Sequence, residues 1–320
     1  MSTDQLITLS DIEAALPLVR EHLHRTPLLS STSLGQITGT DLRFKAEMFQ
    51  KTGSFKPRGM LNKINSLSDD EKQRGVITVS AGNAAQGVAF AAQKLGIPSI
   101  VVMPEKAVPS KAEAARGYGA RVVLHGTIKD VFPKMREIVT EEGVTFIHPF
   151  DDPLVFAGHG TLGLEILEDG PAPDYVFVGI GGGGLISGAA AAIKLSNPDV
   201  KVIGVEPEGA AAMTRGLEAG EPVNIDQINT IADGLAAPFA GTYCLPHIRA
   251  FVDQVVLVSE DEIIQAMRQI MERSKLVVEP AAAAGFAALL FNKVNVPQGA
   301  NVVCVLSGGN VDLGLHKWIF

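Results

Sequence analysis

Short β-branched runs alternate with amphipathic stretches along most of this 320-residue chain, and that alternation restricts its fold more than any other feature. The runs are Val76–Val79, Ser99–Met103, Arg121–Leu124, Tyr175–Val178 and Lys201–Val205, with further ones at Val144–Ile147 and Asn301–Leu306. Helix-like segments lie between them at Ala84–Leu95, Ser110–Tyr118, Ile128–Glu142 and Leu185–Leu195, and Gly96-Ile97-Pro98 and Asn197-Pro198 close two of these. Parallel strands need crossover connections of this kind, so the expected class is α/β, with two three-layer domains on mostly parallel twisted sheets. The early runs form one cluster and those after residue 174 another, which Asn301–Leu306 completes. The expected division is therefore a small domain at residues 75–148 inserted into a large one of residues 1–74 and 149–320. Alanine runs at Ala189–Ala192 and Ala281–Ala284 read as tightly packed helices.

With 46% hydrophobic and 19% charged residues, the chain can fill a substantial core. Lys+Arg number 27 against 35 Asp+Glu, a formal charge of −8 that no basic run interrupts, so no nucleic-acid partner is expected. The longest uncharged run, Val176–Ile193, is rich in glycine and stops at Lys194; it makes a poor spanning helix, and no membrane partner is expected. The start, Met1-Ser2-Thr3-Asp4-Gln5, lacks the basic and apolar segments of an export signal, which points to a cytoplasmic chain. Cys244 and Cys304 stand far apart without histidines at ligand spacing, and read as buried free thiols.

Four glycine-marked segments carry the chemistry. In Lys51-Thr52-Gly53-Ser54-Phe55-Lys56-Pro57-Arg58-Gly59 the second lysine lies between a turn and a proline suited to the first position of a helix. Desolvated there, Lys56 has a lowered pKa and can form a Schiff base; the alternative is a surface lysine beside a turn. Ser80-Ala81-Gly82-Asn83-Ala84 follows a strand and opens a helix, where free N–H groups and the dipole favour an anion such as a substrate carboxylate. Asn83 either caps that helix or gives its amide to a ligand. Gly179-Ile180-Gly181-Gly182-Gly183-Gly184-Leu185 also joins strand to helix and suits a phosphate. With Glu206 ending the next strand it matches a dinucleotide fingerprint as well, so a nicotinamide-dependent dehydrogenase is a rival reading, one that leaves Lys56 and Asn83 without a role. Leu306-Ser307-Gly308-Gly309-Asn310 ends an apolar strand and either offers the Ser307 hydroxyl to a ligand nitrogen or makes a plain turn.

In this order and spacing the four segments resemble the fold-type II pyridoxal-phosphate enzymes, an architecture like that of the tryptophan synthase β chain. Within that group the likeness is to the serine/threonine dehydratase (threonine ammonia-lyase) and serine racemase family. His148-Pro149-Phe150-Asp151-Asp152-Pro153 and Ile231-Ala232-Asp233-Gly234 add two family-like strings, and the likeness runs from residue 8 to residue 313. The resemblance implies that Lys56 is catalytic and holds pyridoxal 5'-phosphate, with Phe55 beside the pyridine ring and Asn83 bonding its 3′-oxygen. It implies further that Gly181, Gly182, Gly183, Gly184 and the Leu185 N–H hold the phosphate, and that Ser307 faces the pyridine nitrogen. A neutral hydroxyl there leaves the ring a weaker electron sink, which favours loss of a β-leaving group over transamination. The implied reaction is β-elimination: Lys56 takes the Cα proton, the β-hydroxyl leaves with acid help, and L-threonine or L-serine becomes 2-oxobutyrate or pyruvate plus ammonia. Ser80, Ala81, Gly82 and Ala84 would cradle the carboxylate of this small amino-acid substrate on a domain that moves to close the site. A homodimer is the family expectation.

Departures from the family pattern refine the substrate. Ala81 stands where racemases carry the serine that acts as second acid/base, which demotes serine racemisation to an alternative. Ala84, Phe150 and Ala237 stand where relatives have His, Asn and Ser; the less polar pocket suits threonine or a bulkier β-hydroxy amino acid such as phenylserine better than hydroxyaspartate. Glu206 matches one acid of the racemase divalent-metal site, but Ala212 replaces the other, so a strong magnesium site is not expected. Glu206 then either binds a monovalent cation with backbone carbonyls or ends its strand on a polar surface. No C-terminal regulatory domain is expected, because the chain stops at Phe320 soon after the fourth segment. His148 and His159 read as structural residues.

Overall fold

The structure is a computed structural model and describes residues 5–312. The expected domain limits at residues 1 and 320, most of the stretch read for an export signal, and the chain's end at Phe320 lie outside the described residues.

The described strands are β1 (Leu28–Ser30), β2 (Asp41–Ala46), β3 (Val76–Val79), β4 (Ser99–Met103), β5 (Arg121–Leu124), β6 (Thr145–Phe146), β7 (Tyr175–Gly179), β8 (Lys201–Pro207), β9 (Gln254–Val258) and β10 (Asn301–Leu306). The larger sheet has the order β1-β2-β10-β7-β8-β9 and the smaller β5-β4-β3-β6. Every pairing is parallel except that of β1 with β2. The helices are α1 (Leu9–His22), α2 (Thr32–Thr38), α3 (Pro57–Asn65), α4 (Asp69–Arg74), α5 (Asn83–Lys94), α6 (Pro109–Gly117), α7 (Val131–Glu142), α8 (Pro153–Glu168), α9 (Gly184–Ser196), α10 (Ala212–Ala219), α11 (Cys244–Phe251), α12 (Glu260–Gln269) and α13 (Pro280–Leu290).

Helices cover both faces of each sheet, which is why β3 and β4 are apolar and buried at nearly every residue rather than alternating. In the larger sheet the two-residue period sorts the layers. Val176, Val178, Val303 and Val305 meet the alanines of α9, while Phe177, Val205, Val302 and Cys304 meet those of α13. In the smaller sheet Ile77, Val79, Ile100 and Val102 pack on α7, and Val101 and Met103 on α5 and α6. Small residues bring α8 and α9 into close contact: a Cβ on Gly163 would lie 2.6 Å from the Ala189 carbonyl oxygen, and one on Gly188 2.1 Å from that of Phe156. The run Ala189–Ala192 is accordingly buried, as is Ala281–Ala284, and so are the free thiols Cys244 and Cys304. No described helix is long and apolar enough to cross a membrane.

β10 enters the middle of the larger sheet, pairing with all of β2 on one side and with Tyr175–Phe177 on the other. The carboxyl ends of β7 and β10 therefore lie side by side, at the edge where open α/β sheets bind their ligands. Both ends carry one of the glycine-marked segments.

Candidate active site

Backbone hydrogen bonds fasten the first segment to the fourth. Phe55 N donates to Ser307 O at 3.1 Å, Gly309 N donates to Gly53 O at 2.9 Å, and Ser54 forms an isolated bridge with Gly308. Gly53 has φ +71, a conformation that suits glycine, and turns the chain toward Lys56. Pro57 occupies the first turn of α3, as expected, so Lys56 stands at its head. The Lys56 Nζ donates to the Pro149 carbonyl at 2.7 Å and lies 5.1 Å from the centroid of the Phe55 ring. Burial pushes this amine down to about 8, against the opposing pull of Cys244 and Glu279.

The second segment reaches the same place from the smaller sheet. Helix α5 comes so close that a Cβ on Gly87 would be 2.9 Å from the Lys56 Cβ. Asn83 does not cap the helix: Gly82 is the cap residue, and the Asn83 side chain points elsewhere. Its Nδ2 donates to Glu279 Oε1 at 2.7 Å, and its Oδ1 accepts from Asn310 Nδ2 at 2.8 Å. Ser80 Oγ accepts from Gly82 N at 3.1 Å, which shapes the turn; Ser80, Ala81 and Gly82 are half-buried and Ala84 is buried.

The third segment forms the opposite wall. Gly183 has φ +106, and α9 starts at Gly184. Among the described residues, the N–H groups of Gly181, Gly182, Gly183, Gly184 and Leu185 have no protein acceptor, leaving five successive donors at a helix start. The Phe150 ring lies against this loop, since a Cβ on Gly182 would meet it at 2.2 Å. Phe150 and Phe239 have ring centroids 5.6 Å apart and make an apolar flank with His148.

The two histidines hold structure. His148 Nδ1 accepts from Asp151 N at 2.8 Å and so shapes the turn carrying Pro149 and Phe150. His159 is fully buried, which pushes it down to about 3, and its Nδ1 lies 3.2 Å from the Gly184 carbonyl oxygen.

Glu206 does not lie on a polar surface. It is fully buried, its Oε1 accepts from Met213 N at 2.7 Å, and its Oε2 accepts from Thr214 N at 2.8 Å and Thr214 Oγ1 at 2.6 Å. Its carboxylate ties down the first turn of α10. Among the described residues, no group of three or more His, Cys, Asp or Glu side chains is placed to hold a metal.

Two site residues escaped the sequence reading. Glu279 is buried beside Asn83, and burial, with the Asp233 carboxylate second, pushes it up to about 7. Its only sequence signal is a lone acid between Val278 and the Pro280 that opens an alanine-rich helix. Asn310 closes the fourth segment and also donates to Thr52 O at 2.7 Å. Its role follows only once β10 is known to run beside β2, which leads into the first segment.

Residues 19–308 match the family described as pyridoxal-phosphate dependent enzyme. The L-threonine ammonia-lyase of Thermotoga maritima is 46% identical over 311 residues, covering 97% of this chain and 77% of that protein. Among solved structures, a threonine deaminase from T.th. has a TM-score of 0.91 at 44% identity, covering 96% of this chain and 99% of that one. A maize serine racemase has a TM-score of 0.93 at 39% identity, covering 97% and 96%. The match extends through every strand from β1 to β10, both sheets included, and with it the dehydrogenase reading falls: the chain belongs to the family of pyridoxal-phosphate dependent enzymes.

Proposed function

We propose that this chain is an ammonia-lyase that dehydrates and deaminates L-threonine, and L-serine as a smaller substrate, to 2-oxobutyrate or pyruvate and ammonia. One observation carries the reading: a desolvated lysine amine held at the Pro149 carbonyl, five unpaired loop N–H groups packed against the neighbouring Phe150 and Cys244, and a buried amide–carboxyl pair whose Glu279 acts on the same amine lie close together. That set fits pyridoxal 5'-phosphate. The N–H groups of Gly181 to Leu185 suit its phosphate, Asn83 and Ser307 offer polar side chains to its ring oxygen and nitrogen, Phe55 flanks it, and Lys56 supplies the amine that binds it. The names of similar proteins, L-threonine ammonia-lyase and threonine deaminase, supply the substrate.

When bound, the cofactor supplies an electrophilic carbon for the substrate's amino group and a sink for the electrons released at Cα. The chain's own residues do the rest. Ser80 N and Gly82 N are held by Val102 O and Ser80 Oγ, so the N–H groups of Ala81, Asn83 and Ala84 at the head of α5 orient the carboxylate, and Ala84 leaves room there. The Lys56 amine, with its lowered pKa, accepts the Cα proton near neutral pH. The Phe150 and Phe239 rings exclude water from the β-carbon and suit a methyl group. Water is lost from Cα and Cβ and then regained at Cα, so threonine yields one keto acid and one ammonia with no other reactant. Serine racemisation is the alternative that the maize neighbour suggests, and Ala81 disfavours it because no side chain there can protonate the second face. The rest of the reading is a cytoplasmic homodimer in which residues 75–148 move against residues 1–74 and 149–320 to close the cleft.

The test is keto-acid release from a panel of L- and D-serine, L- and D-threonine, phenylserine and hydroxyaspartate. Fastest turnover of L-threonine is expected; D-serine formed from L-serine faster than pyruvate would overturn the lyase reading in favour of the racemase.

A further inference from the structure

Arg58 stands two residues beyond Lys56, on the first turn of α3, and none of the chemistry above uses it. Its side chain is fully buried. Nε and Nη2 donate to the two oxygens of Glu47 at 2.9 and 2.8 Å, Nη1 and Nη2 donate to those of Glu165 at 2.8 Å each, and Nη1 also donates to Thr161 Oγ1 at 3.2 Å. Glu47 directly follows β2 and Glu165 lies on α8, so one planar guanidinium ties the head of α3 to two other elements by two bidentate pairs. Lys45, also fully buried, joins the network through Glu165 at 2.7 Å and Asp169 at 3.3 Å. An apolar cluster of the same volume would stabilise the fold at least as well, so stability alone is a poor account of so many buried charges. Direction is what the network supplies: rotating the first turn of α3 would break four charge-assisted hydrogen bonds whose fork geometry tolerates little tilt. Backbone presses on the same turn, since a Cβ on Gly158 would lie 2.3 Å from the Arg58 carbonyl oxygen.

We propose that Arg58, gripped by Glu47 and Glu165, is a positioning residue that fixes the direction of Lys56 and so keeps its amine at the Pro149 carbonyl and facing the cleft. The proposal rests on the reading of Lys56 as the proton-carrying lysine, and its test separates the two.

Arg58→Lys keeps the charge and removes the fork. In cofactor-free protein, the pH dependence of acylation of Lys56, followed by peptide mass spectrometry, reports where the amine sits; in the loaded enzyme, kcat and KM are measured. The labelling midpoint is expected to climb from about 8 toward the ordinary 10.5 as the amine leaves its desolvated seat. In parallel kcat falls by on the order of tenfold or more while KM for L-threonine stays within about twofold. The titratable groups acting on the amine, Cys244, Glu279, His148 and His159, are unaltered by the substitution. Lys63→Met, which removes the 2.8 Å ion pair to Asp152 from the same helix, should leave midpoint and kcat unchanged. Should Arg58→Lys not fold, Glu165→Gln and Thr161→Val carry the same test with smaller shifts in the same direction. A lowered melting temperature with wild-type midpoint and kcat would reduce the network to a fold stabiliser and overturn the proposal. A shifted midpoint in a protein whose wild type is inert toward L-threonine would refute the substrate and leave the positioning role standing.

Discussion

At Lys56, burial lowers the amine to about 8 from an ordinary 10.5, and this has a cost that can be measured in the absence of cofactor. Below pH 8 both folded and unfolded chains carry the proton, and the folded one bears the full desolvation penalty. Between 8 and 10.5 the unfolded chain binds more protons, so stability rises with pH across that window. The shift corresponds to about 3 kcal/mol at most. Lys56→Met should therefore abolish turnover yet stabilise the cofactor-free protein at pH 7 by on the order of 2 kcal/mol, with the gain fading above pH 10; urea unfolding of both proteins across pH checks this. A destabilised variant at pH 7 would mean that the amine is well solvated. Glu279 works in the opposite sense: raised from 4.5 to about 7 by burial and then by Asp233, it is protonated in the folded chain and ionised in the unfolded one between those values. Stability should fall as pH rises through that window, and Glu279→Gln, which keeps an acceptor for the Asn83 amide, should flatten the fall in the same unfolding series.

At the scale of elements, glycines decide whether the phosphate loop can form. Gly183 needs φ +106, and a Cβ there would meet the Cys244 Cβ at 2.7 Å. Gly183→Ala is expected to lose about 2 kcal/mol of stability and at least tenfold in cofactor affinity, read by thermal unfolding and cofactor titration. Gly82→Ala is the contrast: nothing lies within 4 Å of a Cβ there, and stability should stay within about 0.5 kcal/mol of wild type. Much of this was legible in the sequence because it is local. β3, β4, β5 and β10 lie where the β-branched runs put them, and Pro57 and the four-glycine loop mark their helix starts by chemistry that needs no tertiary context. What was not legible depends on distant partners. β2, Asp41-Leu42-Arg43-Phe44-Lys45-Ala46, resembles a surface strand until Glu165 on α8 and Asp169 just past its end bury Lys45. Asn83 passes for a cap until Glu279, at the head of α13 and bonded to Gly308 O, takes its amide. Glu206 passes for a strand end until α10 folds back onto it.

For the whole molecule, the site lies where two sheets face each other, and few polar contacts cross between them. Lys111 on α6 pairs with Asp233 at 2.6 Å, Tyr118 donates to Lys51 O at 3.3 Å, and Asn83 reaches Glu279 and Asn310. Asp233 is largely exposed, so its ion pair holds the two halves only weakly, by about 0.5 kcal/mol. Apolar packing is continuous at one seam, where Met60, Leu61 and Ile64 of α3 share a buried cluster with Val88, Ala91 and Ala92 of α5, so the movement proposed for residues 75–148 must pivot about that seam. Small-angle scattering of the loaded enzyme should show contraction on adding a non-reactive threonine analogue, and superimposable curves would contradict movement of residues 75–148. The most direct test of the account is simultaneous release of 2-oxobutyrate and ammonia from L-threonine by the loaded wild type and by Lys56→Ala at equal folded concentration. One keto acid per ammonia from the wild type, with loss of both from the variant, is the predicted result; sustained turnover by the variant, or a loaded wild type that releases neither product, would contradict it.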